Sequence, residues 1–115
     1  MITRITNLLA ACVAALVLAG CSSSESAGPR SGVFRGHYTH QFEVSMFEPC
    51  GSRERWWVTG EIRPLVDTSG GQRVYAEVRG DLSATGSHGH LGGYRRELAV
   101  REVIAVRPTA DSNCR

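Results

Sequence analysis

Polar and apolar side chains alternate along residues 34–46, and this pattern constrains the fold of the chain more than any other feature. The even positions form the more apolar set, namely Phe34, Gly36, Tyr38, His40, Phe42, Val44 and Met46. A repeat of two residues is the period of a β-strand that turns one face toward the core and the other toward water. We therefore expect one long strand over residues 34–46 whose even positions point inward.

Three later segments also have strand character, because they are rich in apolar and β-branched residues and end at glycine or proline. These segments are residues 55–59, 72–79 and 97–107. The apolar alternation of the last one slips near Glu102, as a β-bulge would cause. Residues 61–66 fit a helical turn that Pro64 interrupts. We expect an all-β fold, a small antiparallel barrel or sandwich.

Residues 1–20 have the three-part anatomy of an export signal. Arg4 supplies a positive charge, residues 8–18 are almost wholly apolar, and Ala19 and Gly20 form a small-residue exit. The apolar run is shorter than the roughly 20 residues that a helix needs to cross a bilayer. We interpret this segment as a signal peptide that is removed from the mature protein.

The junction after this segment resembles the bacterial lipobox, with the sequence Leu18-Ala19-Gly20-Cys21. The resemblance implies cleavage before Cys21 and a lipoprotein whose palmitate-type acyl chains hold it at a membrane. It further implies a site in the cell envelope, at the cell membrane or the outer membrane, facing the periplasm or the exterior. Ser22 favours the outer membrane in such proteins. The alternative is an ordinary secretory signal with an unrelated cysteine.

The mature chain divides into two parts. Residues 21–32 carry the lipidated cysteine and are rich in Ser and Gly, so we expect a flexible tether. Residues 33–115 form one domain, since a chain of 115 residues is too short for a large multi-layered enzyme. Cys12 leaves with the signal peptide, so the domain retains Cys50 and Cys114. A cysteine pair in an exported domain predicts a disulfide, and the alternative is a reactive or metal-binding pair.

Charge and motifs exclude several functions. The chain has 13 Lys+Arg and 11 Asp+Glu, and removal of Arg4 with the signal leaves 12 basic against 11 acidic residues. This balance lacks the excess of positive charge that nucleic-acid-binding domains carry. No glycine-rich phosphate cradle and no G-x-S-x-G motif occur in the sequence. We therefore expect no enzyme activity, no cofactor and no nucleic-acid partner.

The glycine-rich residues 85–94 predict a mobile surface loop that contains His88 and His90. Two imidazoles are ligands for copper or zinc, and His37 and His40 would complete a metal site if the loop folds over the first strand. The alternative is that both loop histidines are simply solvated.

Trp56 and Trp57 are adjacent, so in a strand they point to opposite faces and one of them enters the core. We expect the other to be covered by a loop, with the stems of Arg95 or Arg96 as candidate covers. If it is exposed, it is a contact residue, and Tyr94 is a further candidate for that role.

A family resemblance covers residues 47–114. It rests on Phe47-Glu48-Pro49-Cys50-Gly51, Trp56, residues 74–82, residues 103–108 and the final Cys114. These features resemble the OB-type C-terminal domain of NlpE-like envelope lipoproteins. The resemblance implies a five-stranded OB-like barrel, a bond between the paired cysteines, and a role in envelope sensing or interaction without catalysis.

The chain departs from that family in two ways. It lacks a separate N-terminal domain with C-x-x-C, and it carries the loop at residues 88–94, so copper handling and surface-adhesion signalling do not transfer. The function that we predict is a non-enzymatic, lipid-anchored interaction or sensing module of the envelope, with the membrane and an envelope protein or glycan as partners. The alternatives are a metal-binding lipoprotein that uses the histidine loop and a glycan-binding module.

Overall fold

The structure is a computed structural model that describes residues 27–115. Its elements are strand β1 (Arg30–Gln41), strand β2 (Val44–Pro49), strand β3 (Trp56–Gly60), helix α1 (Arg63–Ser69), strand β4 (Val74–Leu82), a 3₁₀ turn (His90–Gly92) and strand β5 (Glu97–Pro108). The strands pair in the order β1-β2-β3-β5-β4, and β4 returns to β1, which closes a ring. The predicted all-β, OB-like fold is confirmed.

One strand pair differs from the expected antiparallel sheet. Strand β3 lies parallel to β5, with Trp57 opposite Glu97 and Val58 opposite Leu98, whereas the other four pairs are antiparallel. Because parallel strands begin at the same edge of a sheet, the starts of β3 and β5 lie side by side.

The long strand expected over residues 34–46 is a hairpin. Its turn is Phe42-Glu43, where Glu43 has a φ of 56° and the Phe42 side chain is 89% exposed. Gln41 pairs with Val44 across the turn, so the inward set shifts from even positions in β1 to odd positions in β2. Ser45 is accordingly buried, and the inward orientation predicted for the even positions after the turn is wrong.

Helix α1 closes one end of the ring. Pro64 lies in the first turn of the helix, where a backbone N–H has no partner within the helix and its absence costs nothing. The prediction that Pro64 interrupts the helical turn is therefore wrong. Leu65 is fully buried in the core, and Ile62 and Val66 pack against the same core.

Strand β5 contains the predicted irregularity. Its register against β4 shifts twice, between Glu77 and Val78 and between Arg79 and Gly80, which brackets Glu102. Such bulges increase the local twist of the strand. The added twist suits a strand that pairs with β4 on one side and with β3 on the other.

The core fills the inside of the ring. Twelve buried side chains form one cluster, namely Phe34, Tyr38, Phe47, Trp56, Val58, Leu65, Val74, Ala76, Val78, Leu82, Leu98 and Val100. The Trp56 indole is central to this cluster. Its ring centroid lies 5.6 Å from that of Phe34 in an edge-to-face contact and 5.9 Å from that of Phe47 in a stacked contact. Contacts of this kind add to the free energy of burial.

The predicted disulfide joins Cys50 to Cys114, with 5.2 Å between the two Cα atoms. It links the end of β2 to the C-terminal segment across 64 residues of sequence. In the chain-entropy model, a loop of this length stabilises the folded state by about 4 kcal/mol. The C-terminal segment is thereby attached to the ring.

Several predictions concern residues outside the described part of the chain, namely the export signal, the loss of Cys12, the lipobox with Cys21 and most of the tether. Strand β1 begins at Arg30, three residues before the expected start of the domain, because residues 30–32 pair with β4. Within residues 27–115, no helix has the length and apolar character needed to cross a membrane.

His37 links the stability of the fold to pH. Its Nδ1 lies 3.8 Å from the Cys114 sulfur, and its buried Nε2 has no hydrogen-bond partner within residues 27–115. Burial, together with the charge of Arg73, lowers the pKa of His37 from the usual 6.5. The folded protein therefore binds fewer protons at this site than the unfolded chain does below pH 6.5.

We predict that the free energy of unfolding decreases as the pH falls from 7.5 through 6.5 toward the lowered pKa of folded His37. His37→Gln should reduce this decrease, because glutamine does not titrate. Urea unfolding of the parent and of His37→Gln at pH 7.5, 6.5 and 5.5 measures it. An equal decrease in the parent and in His37→Gln would contradict the prediction.

Candidate functional site: an arginine-lined groove

The parallel pairing of β3 and β5 creates a groove at the start of both strands. The Trp57 N–H donates a 2.9 Å hydrogen bond to the Arg96 carbonyl, so the residues that precede the two strands are neighbours. A groove of about 580 Å³ opens between them, lined by Arg53, Glu54, Arg55, Trp56, Gly93, Tyr94 and Arg95. This volume suits a small ligand or one group of a larger one.

Three of the lining residues are arginines that form no ion pair with an acidic side chain of residues 27–115, namely Arg53, Arg55 and Arg95. Elsewhere on the surface, four arginines lie within 4 Å of a carboxylate, namely Arg73, Arg79, Arg101 and Arg107, and four more lie in no ion pair with the described residues, namely Arg30, Arg35, Arg63 and Arg115. The groove differs from the rest of the surface because three arginines without an ion pair line one cavity.

Glu54 is the acidic residue among those that line the groove, and its carboxylate is engaged by the core. Its Oε2 accepts a 3.0 Å hydrogen bond from the Trp56 indole nitrogen. Three guanidinium groups and one carboxylate give the groove a formal charge of +2. Guanidinium groups bind carboxylates and phosphates through paired hydrogen bonds, so the arrangement suits an anionic ligand.

One tryptophan enters the core and the other lies on the outer face, as predicted. Trp56 is 2% exposed. The Trp57 ring is half-buried and packs against Tyr94 with a centroid distance of 5.3 Å. The backbone of Gly89 lies so close to the indole that a Cβ at this position would overlap it. The cover predicted for Trp57 is therefore a loop, with Gly89 and Tyr94 as its contacting residues.

The loop between β4 and β5 lies at the surface, as predicted, and backbone hydrogen bonds hold its two arms together. The His88 N–H donates to the Tyr94 carbonyl at 2.8 Å, and the Tyr94 N–H donates to the His88 carbonyl at 3.1 Å. The His88 Nε2 also lies 3.2 Å from the Ser83 hydroxyl. The tip of the β4–β5 loop contacts the turn between β1 and β2, because the His90 Nε2 lies 3.3 Å from a carboxylate oxygen of Glu43.

The structure does not bring the four histidines together. Each has a different neighbour: His37 lies beside Cys114, His40 stacks on Tyr38, His88 contacts Ser83, and His90 contacts Glu43. Within residues 27–115, no three side chains of His, Cys, Asp or Glu are placed to hold one metal ion. The four histidines that were candidate metal ligands therefore do not form one site within residues 27–115.

Comparison of the chain with family models, with curated protein sequences and with solved structures finds no match. The resemblance to NlpE-like lipoproteins stays a prediction.

Sequence reasoning singled out Tyr94 and Trp56 but did not identify the arginines of the groove as a site. The available signal was that Arg53 and Arg55 precede one strand, while Arg95 precedes another. Without the parallel pairing, those two arginine segments have no reason to meet.

We predict that Gly89→Ala separates the loop from Trp57, because the Cβ overlaps the indole and the φ of 68° disfavours alanine. The tryptophan emission should shift to longer wavelength, and acrylamide quenching should increase. Gly93→Ala is the matched control, since Gly93 has a φ of −79° and room for a Cβ. Unchanged emission and quenching in Gly89→Ala would show that the loop does not cover Trp57 in solution.

Proposed function

We propose that this chain is a non-enzymatic interaction module of the cell envelope, held at a membrane by lipid on Cys21, that binds an anionic partner through the arginine-lined groove. The observation that carries the proposal is the unpaired guanidinium cluster of Arg53, Arg55 and Arg95. Arginine and aromatic residues are enriched where proteins bind partners. The groove combines both types.

The residues of the groove suit binding better than catalysis. A covalent or acid–base mechanism needs a nucleophile or titrating group with a partner that activates it. Here the carboxylate of Glu54 is occupied by the Trp56 indole, and the remaining polar side chains are permanently charged arginines and the Tyr94 hydroxyl. These groups attract and orient a ligand without transferring protons.

The rigidity around the groove supports the same role. The Trp56 indole is packed between two aromatic rings, and the Tyr94 backbone is held by both hydrogen bonds to His88. Preorganised side chains lose little entropy on binding, which favours affinity. The module therefore presents its charge on a preformed surface.

We predict that a photo-crosslinking aromatic residue at position 94 captures an envelope component in intact cells. The same probe at Thr68, an exposed position on α1, is the control. Addition of R53Q/R55Q/R95Q should remove the adduct at position 94, because the anionic partner is no longer attracted. Equal capture at positions 94 and 68, or capture at position 94 that survives the three substitutions, would refute the proposed site.

A further inference from the structure

The end of the ring that carries the groove is also the end where the chain enters the domain. The Ala27 carbonyl accepts hydrogen bonds from the Thr85 N–H at 2.9 Å and from the Thr85 hydroxyl at 3.1 Å. The next residue, Gly86, donates its N–H to the Arg95 carbonyl at 2.8 Å. Two hydrogen-bonded contacts and one peptide unit thus connect Ala27 to the groove, a span of roughly 15 Å.

Little chain separates this point from the proposed lipid. Five residues lie between Cys21 and Ala27, so the six Cα–Cα steps span at most about 20 Å. A domain of this size is roughly 30 Å across. The end with the groove therefore stays close to the bilayer whenever Cys21 carries lipid, because the chain is too short to let the domain move far away.

We infer that Arg53, Arg55 and Arg95 dock the domain on the phosphate groups of the membrane surface to which the lipid on Cys21 attaches it. This inference rests on the proposed function, because it requires that anchor. The groove receives one phospholipid headgroup, and the guanidinium groups at its rim contact the neighbouring phosphates. Tyr94 fits this position, since tyrosine is favoured at the boundary between lipid and water.

The membrane is favoured over an acidic peptide by the effect of the tether. A surface that the tether keeps within about 35 Å of the groove is present at a high effective concentration, whereas a free peptide must be bound from solution. Each arginine near an anionic surface contributes attraction that corresponds to about a fivefold change in binding. The net charge of +2 in the groove then favours the docked state by roughly 30-fold.

The test uses lipidated full-length product purified from membranes, after mass spectrometry has shown acyl chains on Cys21. The protein is placed in vesicles that carry dansyl-labelled headgroups, and energy transfer from its tryptophans to dansyl reports docking. We expect high transfer with phosphatidylglycerol, and lower transfer with phosphatidylcholine alone or in 0.5 M NaCl, because salt screens the attraction.

Two matched variants locate the effect. R53Q/R55Q/R95Q should give low transfer in both kinds of vesicle. R35Q/R63Q/R115Q, which removes three exposed arginines that likewise lie in no ion pair with the described residues and do not line the groove, should behave like the parent. Circular dichroism shows whether both variants retain the fold.

The outcomes separate the inference from the proposed function. A product without acyl chains on Cys21 overturns the proposed anchor and this inference with it. Lipidated protein that transfers equally in the two lipids overturns the inference alone. Loss of transfer on addition of a poly-glutamate peptide or of 10 mM inorganic phosphate at constant ionic strength assigns the groove to a peptide or a free anion and also overturns it.

Discussion

The hydrogen bond from the Trp57 N–H to the Arg96 carbonyl joins two strand starts that are far apart in the sequence. Closure of the ring depends on this parallel contact, because β3 and β5 meet there and no connecting turn holds them together. The same contact directs Trp56 into the core and Trp57 outward beneath the β4–β5 loop. The groove and its arginines exist because the two starts are neighbours.

Other features of the fold support that contact. The bulges in β5 let one strand pair with both β4 and β3, and the loop that precedes β5 packs against the outer face of β3. The disulfide attaches the C-terminal segment to the end of β2, close to where the groove-lining segment begins at Arg53. These contacts fix the position of the groove on a small domain whose hydrophobic core is modest.

The alternation in the sequence predicted the strands well, and its main error has a physical cause. A two-residue turn at Phe42-Glu43 moved the inward face to odd positions, yet Met46 on the outer face is also apolar because it lies opposite Trp57 under partial cover. When both faces of a strand carry apolar residues, a change of the inward face does not interrupt the two-residue alternation, so the sequence pattern does not reveal the turn. The turn also lacks the usual glycine or asparagine.

The disulfide was predictable from composition, whereas the groove was not, because its arginines meet through a parallel pairing that local patterns do not reveal. The central claim is that these arginines contact anionic membrane groups. Phenylglyoxal labelling of arginines in isolated membranes, quantified by peptide mass spectrometry, tests it most directly. We predict that Arg53, Arg55 and Arg95 react more slowly in the membrane than in a neutral detergent, while Arg63 reacts equally in both. Equal rates at the three groove arginines in both environments would contradict it.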